Sequence, residues 1–142
     1  MALGPLTYKT PNQVISIAAD LSGSEGCGLT LVNATQGRVE IANAATDFPY
    51  GIVVVGADSV NGGAGQIAAG ALEIVDALGC VVQVQAGAVA ITVGTGLTVN
   101  SSGAFISAAS ISVGEWIWGF ALTAAPAGGQ FLMRFQPYTK QA

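Results

Sequence analysis

From Cys80 onward the chain alternates apolar and small polar residues at a period of two, and glycine breaks the alternation every few residues. Cys80, Val82 and Val84 alternate with Val81, Gln83 and Gln85; Val89, Ile91 and Val93 alternate with Ala88, Ala90 and Thr92. That period sends successive side chains to opposite faces of an extended strand. Leu97 and Val99 continue it after residues 94–96, and residues 100–103 (Asn-Ser-Ser-Gly) read as a turn. Residues 105–109 and 111–113 are shorter strand candidates. Residues 116–122 set Trp116, Trp118 and Phe120 on one face, and residues 131–135 set Phe131, Met133 and Phe135 opposite Leu132 and Arg134.

The first half is less regular but carries the same period. Residues 14–18 alternate; residues 29–32 and 38–41 read as a hairpin across residues 33–37, where Gly37 suits a tight turn. Residues 43–50 read as an ordered loop marked by Asp47 and Pro49. Ile52, Val53, Val54 and Val55 form a β-branched run that resists helix because its χ1 angles are restricted. Residues 66–78 fit two readings. Ile67, Ala71, Ile74, Val75 and Leu78 lie near one face at helical spacing, with Gly79 as a stop; a strand over residues 72–75 competes. Pro5 and Pro11 keep residues 1–12 out of a helix and suit an extended arm carrying Leu3, Leu6 and Tyr8.

Roughly seven to ten short strands joined by glycine turns imply an all-β fold: a compact antiparallel barrel, β-tulip-like domain or sandwich, with at most one short helix. The 142 residues suffice for one domain. The expected organisation is an arm over residues 1–12, a β-rich domain over 13–136 and a polar tail over 137–142. No apolar run reaches membrane-spanning length. Residues 1–10 hold no leader-type apolar segment, which favours production in a cytoplasm.

Charge narrows the function. Only 8% of residues are charged, against about 25% in ordinary soluble domains. Such a surface has few ions to strip of water, so burying it against a partner costs little. This points to assembly with other subunits. Four basic residues, Lys9, Arg38, Arg134 and Lys140, and a net charge of -4 are a thin supply for phosphate neutralisation, against nucleic acid and an electrostatic membrane contact. The absence of histidine removes the commonest neutral-pH base and the usual triads and metal sites. The carboxylates Asp20, Glu25, Glu40, Asp47, Asp58, Glu73, Asp76 and Glu115 fall mostly in or beside turns, where solvation and capping are their expected roles; Glu73 and Asp76 would share a face only on a helix. Cys27 and Cys80 form no metal or redox motif and are expected to be buried free thiols, with a single bridge left open. Residues 62–65 lack the Lys-Ser/Thr ending of a phosphate loop, and the sequons at Asn33 and Asn100 read as turns. No cofactor, metal or catalytic residue is expected. Trp116, Trp118, Phe120, Phe131, Met133 and Phe135 are the expected core or oligomer seam.

Residues 45–53 (Ala-Thr-Asp-Phe-Pro-Tyr-Gly-Ile-Val) contain an Asp-x-Pro-x-Gly segment, Asp47, Pro49 and Gly51, leading into the valine-rich strand. With residues 87–94, 119–122, 127–129 and 131–135, the chain resembles the capsid cement, or decoration, proteins of tailed bacteriophages over residues 28–136; residues 57–78 depart from that pattern. The resemblance implies a homotrimer on the exterior of an expanded phage head, bridging major capsid protein subunits. Its action would be mechanical, with Leu3, Leu6 and Tyr8 as capsid-contact residues of the arm. Two rivals share part of the pattern: a phage tail or receptor-binding β module, and a hydrolase working through paired carboxylates.

Overall fold

A computed structural model describes residues 16–17, 21, 23–33, 38–55 and 73–142. The arm over residues 1–12, and with it Leu3, Leu6 and Tyr8, lies outside them, as do residues 57–72. The described chain is all β, in two five-stranded sheets. The first holds β1 (Ser16–Ile17), β2 (Gly28–Asn33), β3 (Arg38–Ile41), β4 (Gly51–Val55) and β5 (Glu73–Val75), in the order β1-β3-β2-β4-β5. The second holds β6 (Val81–Gln85), β7 (Gly96–Val99), β8 (Phe105–Ser107), β9 (Trp116–Ala121) and β10 (Gln130–Thr139), in the order β6-β10-β9-β7-β8. Pairing is antiparallel except for β1, which runs parallel to β3. Among the described residues the two sheets form a sandwich and no closed barrel.

Alternation decides which side chains meet. From the second sheet Val82, Val84, Leu97, Val99, Phe105, Trp118, Ala121, Phe131, Met133 and Phe135 form one core with Ala42 and Ile52 of the first. Trp118 is its centre: fully buried, with Phe105 edge-on at 5.7 Å and Phe135 tilted at 6.4 Å. Gly28, on β2, makes room for it. A β-carbon there would stand 2.8 Å from two carbons of the indole ring. The opposite face of the first sheet gathers a second cluster, Leu21, Leu29, Val39 and Val53, flanked by Leu31, Ile41, Tyr50 and Ile74. Residues 24–28 tie the sheets together: Gly28 N–H donates to Gly103 O at 2.9 Å, and Gln85 N–H to Gly26 O at 3.0 Å.

The sequence reading needs correction at several points. Of the two readings of residues 66–78, the strand holds at Glu73–Val75, which pairs with β4; residues 66–72 lie outside the described part. The alternating residues 88–93 are not a strand. Ile91 makes an isolated bridge to Ala125, while Val89 and Val93 point into solvent, because the backbone folds into turns at residues 92–95 with Gly94 at φ 84°. Residues 111–113 are likewise loop and turn. The tail begins later than expected, because β10 runs on to Thr139, with Pro137 at the register break between Phe135 and Tyr138. Proline is tolerated in a sheet at such a break because it has no N–H to lose. The thiols are free but half-buried rather than buried. About 16 Å of extended chain separates Cys80 from Gln85, and Gln85 is bonded to Gly26, beside Cys27. That distance exceeds the reach of a disulfide.

Candidate interaction surface

Four charged side chains, Asp47, Glu115, Arg134 and Lys140, brace the fold locally. The Asp47 carboxylate accepts N–H bonds from Asn43 at 2.8 Å and Ala44 at 3.1 Å. Glu115 accepts from Ser112 N–H at 2.7 Å. Lys140 donates its ammonium to the carbonyls of Ala109 at 3.1 Å and Ile111 at 2.7 Å, and Arg134 donates to the carbonyl of Gly79 at 2.9 Å. These groups hold turns and strand ends. No set of three or more His, Cys, Asp or Glu side chains converges among the described residues. The helical spacing that would have put Glu73 and Asp76 on one face is absent. Burial, with the Glu25 carboxylate adding to it, raises the pKa of the Cys27 thiol. The thiol is therefore held in its protonated, poorly nucleophilic form.

The Asp47 loop shows what such bracing does. Its turn delivers Pro49 into a buried position, Tyr50 N–H to Leu29 O at 2.9 Å, and Gly51 into register with Leu29 at the start of β4. Asp47→Ala leaves two backbone donors without their acceptor and should cost about 1–2 kcal/mol. Urea unfolding should show a lower midpoint with an unchanged slope. Asp47→Asn keeps an acceptor oxygen and should recover most of the loss.

The six residues expected at a core or seam divide. Trp118, Phe131, Met133 and Phe135 are core. Trp116 is half-buried against that core and takes the ring of Phe48 edge-on at 5.5 Å. Phe120 parts from the tryptophans. Trp118 and Ala121 both join the core although three apart, which regular alternation forbids. The register shift between Phe135 and Tyr138 turns the alternation over, so Phe120 falls opposite Arg134, half-buried and outside the core clusters.

The outward face of β6 and β10 is aliphatic and amide in character. Val81 is 49% exposed and Leu132 40%. Between them stand Gln83, bonded through its amide to Gln130 at 2.7 Å, and Arg134. A cleft opens beside this face between β4 and β6, walled by Val53, Val54, Val82, Gln83 and Val84 with Glu25 at its rim. Sequence reasoning missed the cleft. Its signal was the uncharged Val81–Gln85 run, without any guard at a strand edge. Among the described residues no helix is long and apolar enough to cross a membrane.

Among solved structures, the chain is similar to the N base of the head fiber gp8.5 in bacteriophage phi29. The TM-score is 0.64 at 15% identity, covering 91% of this chain and 96% of that one. At that identity the likeness is one of fold, and it spans nearly the whole of both chains. No family model matches the sequence, and no curated protein matches it.

Proposed function

We propose that this protein is a structural component of a phage virion that sits on the exterior of the head. In the finer reading it is a cement or decoration subunit, working as a homotrimer that bridges major capsid protein subunits and turns over no substrate. The observation that carries the proposal is the shared fold with the base of a phage head fiber across 91% of this chain. The surface supports it: Asp47, Glu115 and Lys140 are spent on turns, and Val81, Leu132 and Phe48 stand exposed where a partner would bury them. Aliphatic burial stabilises contact by roughly 25 cal/mol per Å² before association costs. Repetition around a shell converts modest contacts into firm attachment.

The test is decoration. Mixed with expanded heads of the source phage lacking it, the purified protein should sediment with them at saturable occupancy and in multiples of three. Decorated heads should then withstand heat and osmotic shock better than bare ones. Absence of binding would overturn head attachment. Saturating binding that leaves the heads equally fragile would overturn the cement reading while keeping attachment.

A further inference from the structure

β6 turns one side of its backbone to β10 and the other to the cleft. Gln85 donates its N–H away from β10, to Gly26 O at 3.0 Å. Strand alternation directs the N–H and C=O of Gln83 and Val81 the same way. Neither has a backbone partner there among the described residues. Gly26 in turn donates its N–H to Val53 O of β4 at 2.8 Å. Gly26 therefore stands where one residue of an intervening strand would stand. Two strand spacings of about 4.8 Å set the walls about 10 Å apart, the width of a single missing strand. The chain does not continue along this line: Ser24 N–H bonds Leu21 O, and Cys27 N–H bonds Ser24 O, both at 3.1 Å, folding the segment into turns. Beyond Gly26 the slot runs between Val54, 39% exposed, and Gln83.

Natural sheets guard such edges with charge, proline or a bulge. Val81–Gln85 (Val-Val-Gln-Val-Gln) has none of these. The other edge of the same sheet is covered, since Gly87 N–H bonds Phe105 O of β8 at 2.8 Å.

We propose that this slot receives residues 6–10 of the N-terminal arm of a second copy of the chain, by strand addition to β6. The inference deepens the oligomeric reading above and rests on it. A slot walled on both sides admits a lone extended segment, not a strand already paired in a sheet. The sequence suits residues 6–10 to that place: Pro5 and Pro11 bracket them and disfavour helix, and every residue between keeps its N–H. A copy as donor also brings a chain whose 8% charge makes the contact cheap to desolvate.

The experiment uses the full chain, with light scattering after size exclusion and amide hydrogen exchange at micromolar to hundred-micromolar concentration. The wild type should be oligomeric, with the Val81 and Gln83 amides protected at least about tenfold more than in the monomer it forms on dilution. Gln83→Pro removes the N–H that faces the slot and spares the β10 ladder; it should shift the protein to monomer. Val81→Lys guards the edge without touching the backbone and should do the same. A chain carrying both Leu6→Pro and Tyr8→Pro cannot donate its arm but keeps its slot. Adding wild-type chain should restore protection at its Val81 and Gln83. Failure to restore it means the arm serves its own chain, and overturns the proposal. So does an oligomer whose Val81 and Gln83 amides exchange freely, although that result leaves the homotrimer and head attachment standing. A wild type that stays monomeric throughout overturns both the slot and the oligomer.

Discussion

Trp118→Ala is expected to remove about 3–5 kcal/mol of folding stability, a large part of the roughly 5–15 kcal/mol that holds a domain of this kind together. The indole is fully buried between the sheets, against Gly28 on one side and Phe105 and Phe135 on the other. The wall at Gly28 is backbone and cannot fold into the space left behind, so the cavity persists and the cost falls at the high end. Urea unfolding should show the loss as a lower midpoint. Trp118→Phe is the informative companion. The indole N–H is buried and has no hydrogen-bond partner among the described residues, a standing cost of about 1–3 kcal/mol that phenylalanine does not incur. The smaller ring should thus cost less than half as much as alanine. A Trp118→Ala variant that loses under about 1 kcal/mol would place the ring outside the intersheet core and contradict the packing described.

The fold class was legible because alternation is a local signal. Val82 and Val84 face in, Val81 and Gln83 face out, and nothing distant is needed to say so. The same holds for the hairpin of β2 and β3 and for the valine-rich β4. The failures are places where a distant partner decides. Residues 88–93 carry a flawless strand pattern, yet Val89 and Val93 are exposed because turns pull the segment away from a neighbour to pair with. Residues 74–78 carry a helical spacing, yet Ile74 is drawn into strand by Val53 across the sheet.

The interaction surface was half legible. Sparse charge and excess apolar residues mark a surface that costs little to bury, and the absence of histidine narrows the chemistry. Which residues face outward was not legible, because Trp116, Trp118 and Phe120 look alike on a simple strand. The β6 edge was invisible for a different reason. An unpaired N–H is a property of who lies beside a strand, and Val81–Gln85 reads the same whether or not that place is filled.

The alternation break in β9 supplies the second large expectation: Gly119→Ala should cost at least about 3 kcal/mol and could prevent folding outright. A β-carbon at Gly119 runs into the carbonyl oxygen of Arg134 and comes within 3.0 Å of its carbonyl carbon and 3.2 Å of Gln136 N. These atoms are backbone of β10 and cannot rotate aside as a side-chain end would. Separation of the strands would loosen the pairing of Phe135 with Gly119 and of Arg134 with Phe120, in the stretch that turns Trp118 inward and Phe120 outward. Gly128→Ala is the matched control. Gly128 sits at φ 71° in a turn, with nothing within 4 Å of an added β-carbon, so it bears only the local conformational cost of about 1–2 kcal/mol. Equilibrium unfolding of the two variants should rank Gly119→Ala well above Gly128→Ala. Near-ultraviolet circular dichroism should change for the first alone, because only there is the tryptophan's packing disturbed. Equal costs for the two would mean that the close approach of β9 and β10 does not depend on Gly119, and that the division of the aromatic strand into an inner tryptophan and an outer phenylalanine has another origin.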